Sequence, residues 1–133
     1  MSALAQFPRD KQPAIRQVMM PRDTNALGTI FGGVILSMID LAAATEAHVY
    51  HPGKLVTVAM DKIEFKQPVF VGDLVSLFCT VARIGTSSIT VRVEVWAQRA
   101  LARDQFVPVT EASVTMVAVD DQLKPTPIVR RKA

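Results

Sequence analysis

Polar and apolar residues alternate most regularly from Ile89 to Trp96. Ile89, Val91, Val93 and Val95 share one parity, and Thr90, Arg92, Glu94 and Trp96 take the other. A period of two marks a strand with one buried face. Three further segments read the same way, less cleanly. Leu55 to Phe65 is β-branched early and stops at Gln67-Pro68. Leu74 to Ile84 follows a turn at Val71-Gly72-Asp73. Glu111 to Val119 alternates Ser113 and Thr115 with Val114 and Met116, and Asp120-Asp121 closes it. Ala14 to Met20 makes a fifth, shorter strand ended by Pro21. Gly85 to Ser88 is a tight connection, Gln98 to Pro108 a polar hairpin loop, and Pro21 to Gly33 an irregular loop rich in Asp, Thr, Asn and Gly.

One stretch follows a different rule. Gly32 to His51 contains no proline and favours helix almost throughout. At about 100° per residue, Val34, Ile35, Met38, Ile39, Ala42 and Val49 gather on one side. Asp40 falls roughly opposite, among Gly33, Ser37, Ala43, Ala44 and Ala47, with Leu36 its only bulky neighbour. A helix apolar around most of its circumference belongs inside a protein. A carboxylate there is costly to bury, and its small neighbours leave space around it. The combination suggests a cavity holding a reactive acid. A solvated or salt-bridged Asp on the exposed edge of the helix is the plainer alternative.

The order is strand, long helix, then four strands with short connections. One apolar helix and one long sheet bury each other if the sheet curls around the helix. The expected class is therefore α+β, a five-stranded antiparallel sheet wrapped around one central helix. Residues 1–133 are read as a single domain with its core at about 14–120, a loose lead-in from Ser2 to about Pro13, and a tail from Gln122 with little to bury. Open sheet edges and an uncovered side of the helix call for a partner subunit.

Composition narrows the classes. Half of the 133 residues are hydrophobic, yet no run of about 18 apolar residues suggests a membrane span. The N-terminal residues lack the pattern of a secretory signal. Cys79 is the only cysteine, so no internal disulfide can form, which favours the cytoplasm. A net charge of +3 and a pI near 9.4 suit an anionic ligand but are too diffuse for a nucleic-acid partner. The one basic run, Arg130, Arg131 and Lys132, reads as a solvated tail.

The chemistry narrows next. His48 and His51, the only histidines, sit at the helix end with no Cys/His/Asp cluster around them, so no metal site is expected. No GxSxG-like elbow supports a serine nucleophile. Gly28, Gly32 and Gly33 have the wrong spacing for a dinucleotide fingerprint. What remains is a glycine-bearing helix N-terminus with a carboxylate two turns inside it. Backbone N–H groups there can hold a developing oxyanion, and a carboxylate can activate water or attack directly. That is equipment for acyl transfer to water.

Asn25, Gly28, Phe31-Gly32-Gly33 and Asp40, read as N-x-x-G-x-x-F-G-G-x-x-x-x-x-x-D, resemble the hot-dog-fold acyl-CoA thioesterases, in particular the YciA-like branch related to the cytosolic acyl-CoA hydrolases of animals. The likeness continues through Val56–Asp61, Phe65, Pro68-Val69, Val71-Gly72-Asp73, Gly85–Ser88 and Val93–Trp96, and so covers roughly Val18 to Asp120. It implies the hot-dog fold, hydrolysis of acyl-CoA to a free acid and coenzyme A, no cofactor beyond the coenzyme A of the substrate, and a dimer that can assemble further into a trimer of dimers. It also implies roles. Asp40 matches the catalytic helix carboxylate, as general base or nucleophile. Asn25 matches a loop Asn contributed by the other subunit, which orients the thioester or the water. Phe31, Gly32 and Gly33 match the helix entrance whose amides face the carbonyl, and Thr57 matches a strand residue near the attacking water. Val58, Ala59 and Met60, with Ser87, Ser88 and Ile89, match segments along which coenzyme A lies, its nucleotide at the surface near Ser87 and Ser88. Phe31 stands where some relatives carry His, so no histidine base is implied.

Each residue also has a simpler reading. Asn25 can cap its own loop, Gly32 and Gly33 can serve close packing, and Thr57 is an ordinary strand residue. Asp61 is the rival acid. Lys62, Arg83 and Arg130 could meet phosphates, although surface cations are usually just solvated. A hot-dog dehydratase would need a histidine near the helix entrance, and none precedes His48. A non-catalytic acyl or nucleotide binding module would not need Asp40.

Overall fold

A computed structural model describes residues 6–129. The basic run at 130–132 lies outside the described residues. The elements are β1 (Ile15–Val18), a single 3-10 turn at Pro21–Asp23, helix α1 (Gly32–Ala47), β2 (Leu55–Asp61), β3 (Leu74–Ile84), β4 (Ser88–Gln98) and β5 (Phe106–Ala118). The strands form one antiparallel sheet in the order β1-β3-β4-β5-β2. Helix α1 packs on β3, β4 and β5, so the sheet holds the helix as the alternation predicted. Ile89, Val91, Val93 and Val95 are all buried beneath it.

The buried face of α1 is wider than the sequence suggested. Ile35, Met38, Ile39 and Ala42 are buried as expected, but so are Ala43 and Ala47. Val49 is exposed, because the helix stops at Ala47 and the following turn carries Val49 away from the core face. Two strand limits also differ. β2 ends at Asp61 rather than Phe65, since Lys62 adopts a left-handed backbone with φ 60°, which no sequence signal announced. β5 starts at Phe106 rather than Glu111, and Pro108 lies inside the strand opposite Trp96. Proline is tolerated there because the register shifts beside it, between Val95 and Trp96.

Both flanks are better anchored than a loose lead-in and tail would be. Phe7 sits edge-on to Phe78 and Trp96 at 5.5 and 5.6 Å and lies 4.3 Å from Phe106. It covers an aromatic cluster separate from the main core. At the other end Ile128 is buried in that main core. Its N–H donates to the Thr86 carbonyl, and the Thr126 N–H donates to that of Ala118.

The connection from β2 to β3 is pinned by an ion pair. The buried Asp73, 2% exposed, accepts from the Arg99 guanidinium at 2.6 Å and from the Phe70 N–H at 2.9 Å. Arg99 also donates to the Pro68 carbonyl and lies over the Phe70 ring. Burying such a pair is tolerated when hydrogen bonds satisfy its remaining polar atoms, and here they also fix the path of residues 66–73.

Candidate active site

Asp40 is half-buried on α1, and the Thr57 hydroxyl donates to its Oδ1 at 2.5 Å. The bond depends on an irregularity in β2. Thr57 pairs with Met116 but Ala59 pairs with Thr115, so Val58 is an extra, unpaired residue. Cross-strand partners share a face, and Ala118, Met116 and Val114 all point to the core. Leu55, Thr57 and Met60 therefore face the helix, a spacing that only a bulge permits. The same register puts Asp61 with Ser113 on the outer face, exposed, so Asp61 turns away from the helix while Asp40 and Thr57 meet.

The entrance to α1 is uncapped. Phe31 occupies the N-cap position with an extended backbone and makes no side-chain cap. The first N–H groups of a helix have no intrahelical acceptor, which leaves the Gly32 and Gly33 amides open at the positive end of the helix. Aromatic rings crowd both glycines. A Cβ on Gly33 would lie 2.6 Å from the Phe31 ring, and one on Gly32 would lie 3.6 Å from the Phe65 ring. A side chain at Gly33 would push the exposed Phe31 ring aside, whereas Gly32 borders open space. That space is a cavity of about 260 Å³ lined by Ile30, Gly32, Ile35, Phe65, Pro68 and Val69, with Lys66 and Gln67 completing its wall. Phe65 belonged to the sequence motif, but its position over the helix entrance follows from the early end of β2 and was not legible beforehand.

Asn25 works inside its own loop. Its Oδ1 accepts from the N–H groups of Leu27 and Thr29, and its Nδ2 donates to the Thr29 hydroxyl at 2.9 Å. Gly28 closes the turn with φ 86°, its N–H donating to the Asn25 carbonyl. The capping reading of Asn25 therefore holds, and one Nδ2 hydrogen is left over for a ligand. Along the helix, Gly33 and Asp40 are seven residues apart, about 10 Å at 1.5 Å per residue. One carbonyl cannot touch both within a single protomer.

Among the residues matched to coenzyme A, Val58 is exposed on the free edge of β2, and Ala59 and Met60 are half-buried. Ser87 and Ser88 are half-buried at the β3–β4 turn. Ile89 is wholly buried in the core, so its side chain cannot line a ligand path; only its backbone lies near the turn. That turn is joined to the C-terminal tail at Thr86–Ile128, and the next residue, Val129, donates from its N–H to Nδ1 of the buried His51. The Ser87-Ser88 turn and the end of α1 therefore share one end of the molecule. His48 Nδ1 is spent on the His51 carbonyl, 3.0 Å away. Among the described residues no three His, Cys, Asp or Glu side chains are grouped to hold a metal ion, and no helix is long and apolar enough to cross a membrane.

Comparison with known proteins gives consistent findings. Residues 27–101 match the thioesterase superfamily. The chain is 39% identical over 116 residues to the acyl-CoA thioester hydrolase YciA of Salmonella typhimurium, covering 86% of this chain and 87% of that protein. A hexameric hot-dog-fold thioesterase of Campylobacter jejuni superposes with a TM-score of 0.83 at 47% identity, over 88% of this chain and 90% of that one. A hexameric thioesterase from Yersinia pestis gives 0.83 at 40% identity, over 90% and 96%.

Proposed function

The chain belongs to the thioesterase superfamily, and from that premise we propose that it hydrolyses acyl-CoA thioesters, with Asp40 as the general base. The observation that carries this reading is the Thr57–Asp40 hydrogen bond, which holds one carboxylate oxygen beside an open strand edge. Oδ2 is then left to take a proton from water. The water oxygen adds to the thioester carbon, and the resulting oxyanion is held by the Gly32 and Gly33 amides. When the C–S bond breaks, Asp40 returns its proton to the departing thiolate, giving a free acid and coenzyme A. No step needs a metal or a further cofactor.

The 10 Å between Gly33 and Asp40 supports a site shared by two protomers. In an antiparallel pair of α1 helices whose two-fold axis passes near Leu36 and Ser37, Gly33 of one protomer faces Asp40 of the other. The free edge of β2, with exposed Val56 and Val58, is the natural seam along which the two sheets join. Further assembly into a trimer of dimers fits the hexameric relatives. Asn25 enters the shared site through its one spare N–H, as an orienting group. Val58–Met60 form the wall past which the pantetheine arm runs, with the nucleotide at the surface near Ser87 and Ser88. The phosphates stay at the rim, because burying them is costly. The lone cysteine suits a reducing, cytoplasmic compartment.

Asp40→Asn tests the reading. The side chains are nearly equal in size, so folding and coenzyme A binding should persist, while turnover should fall by about 10² to 10⁴, the range for loss of a general base. Full turnover in a folded Asp40→Asn protein would overturn the assignment.

A further inference from the structure

The buried Asp73–Arg99 pair lies outside the site, yet both supports of the helix entrance lead back to it. We infer that the two are positioning residues for thioester hydrolysis, holding the Gly32 and Gly33 amides where the oxyanion forms. The inference rests on the thioesterase reading above and adds two residues to it, neither of which touches substrate.

The entrance has to be held from outside. Phe31 gives α1 no side-chain cap, and the first two helical residues are glycines, which lose the most freedom on being ordered. The direction of their amides is therefore set by the residues just before them. Ile30 and Phe31 each donate an N–H to a carbonyl of a neighbouring segment at 2.8 Å, Ile30 to Val69 and Phe31 to Asp23.

The ion pair brackets Val69. On one side of it Arg99 donates to the Pro68 carbonyl at 3.0 Å, and on the other the Phe70 N–H donates to Asp73 Oδ2 at 2.9 Å. The same Arg99 nitrogen donates to that Oδ2 at 2.6 Å, which closes residues 68 to 70 around one pair of charges. The second support runs through the Asp73 backbone. Its carbonyl accepts the Met19 N–H at 2.9 Å, and Met20 and Asp23 then bond each other twice, at 2.9 and 3.0 Å. The Asp23 carbonyl in turn accepts the Phe31 N–H. Both tethers thus begin at Asp73.

Arg99 is fixed in its turn by the β4–β5 hairpin, where its N–H donates to the Gln105 carbonyl at 3.0 Å. The Arg99 and Asp73 side chains are only 14% and 2% exposed, so water does not make good a bond lost between them. A misplacement of about 1 Å at a reacting centre can cost about 10² in rate. Amides that meet the oxyanion act mainly in the transition state, so their displacement is read in kcat and not in KM.

The test compares wild type with Arg99→Lys, Arg99→Gln and the neutral pair Asp73→Asn/Arg99→Gln, which leaves no unpaired buried charge to unfold the chain. With the acyl-CoA ester that the wild type turns over fastest, Arg99→Gln and the neutral pair should lower kcat by about 10- to 100-fold. KM and the Kd of coenzyme A should stay within about threefold of wild type. Arg99→Lys keeps a cation on Asp73 and should restore kcat to within about fivefold. Amide hydrogen exchange, read by mass spectrometry on the folded proteins, should quicken in the peptide that carries Ile30 and Phe31 and not in one from β4. A melting temperature that falls while kcat holds would make the pair purely structural and overturn the inference. So would a rise in KM with kcat unchanged. Exchange also separates the two possible failures. If Asp40→Asn keeps full turnover, the hydrolytic reading has failed and the positioning role falls with it. If Asp40→Asn is inactive but exchange at Ile30 and Phe31 is unmoved by the loss of Arg99, only the positioning role has failed.

Discussion

Two inactive variants, mixed, should regain turnover. The perturbation is a pair of single substitutions, Asp40→Asn and Asn25→Ala, each purified alone and then combined under conditions that exchange subunits. The roughly 10 Å that separates Gly33 from Asp40 on one helix is the reason for proposing that a carbonyl at one helix entrance is served by the partner's carboxylate. In that proposal the two-fold axis lies near Leu36 and Ser37, and Asn25 acts with its own helix entrance. A mixed dimer then has one site with both residues intact and one with neither. Random mixing at equal amounts makes half of the dimers mixed, so activity should rise towards a quarter of wild type if sites act independently. Released coenzyme A thiol is the readout, and exchange is proved by mass-tagged subunits. Asn25→Ala also removes three hydrogen bonds from its loop, so the recovered value should fall short of a quarter by whatever loosening that loop causes. Proven exchange with no recovery would refute the shared site.

Two further outcomes follow from the fold. Phe7→Ala should cost about 2 kcal/mol in urea unfolding, below the roughly 3–5 for a fully buried Phe, since Phe7 is only half-buried on its cluster; an unchanged midpoint would mean that the N-terminal strap contributes nothing. Burial, with a smaller contribution from the nearby Glu46 carboxylate, pushes the Cys79 thiol up to about 12, so the reactive thiolate is scarce at pH 8; a disulfide reagent should label it only as the chain unfolds, and rapid labelling of the native protein would contradict that environment.

The sheet was legible because one face of each strand is dry. Ile89, Val91, Val93 and Val95 could not have alternated so regularly otherwise, and their burial is complete. Asp40 stood out for the opposite reason, as a charge set among alanines, and the structure leaves it half-buried on Thr57 where the sequence suggested an acid held in a cavity. What the sequence hid were backbone events with no side-chain signature. A left-handed Lys62 ends β2 four residues early and drops Phe65 over the helix entrance; neither Gly nor Asn marks the spot. The docking of Phe7 and Ile128 was hidden because a single apolar residue in a polar stretch gives no period to read. The inward turn of the Ile89 side chain was hidden as well, because a matched segment says nothing about which of its side chains face the core.

The unpaired Val58 also decides how the gene can change. One residue removed from a regular strand sends everything on one side of the cut to the other face. Val58 is the exception, because it pairs with nothing: its loss would leave Thr57 opposite Met116, Ala59 opposite Thr115 and Met60 opposite Val114. Thr57 would then stay on Asp40 and Met60 in the core, with the anchors at Lys54–Val119 and Lys66–Val109 untouched. Strand β2 thus carries one residue of slack, and descendants of this chain can lose a codon at Val58 while keeping both the acid's partner and the core.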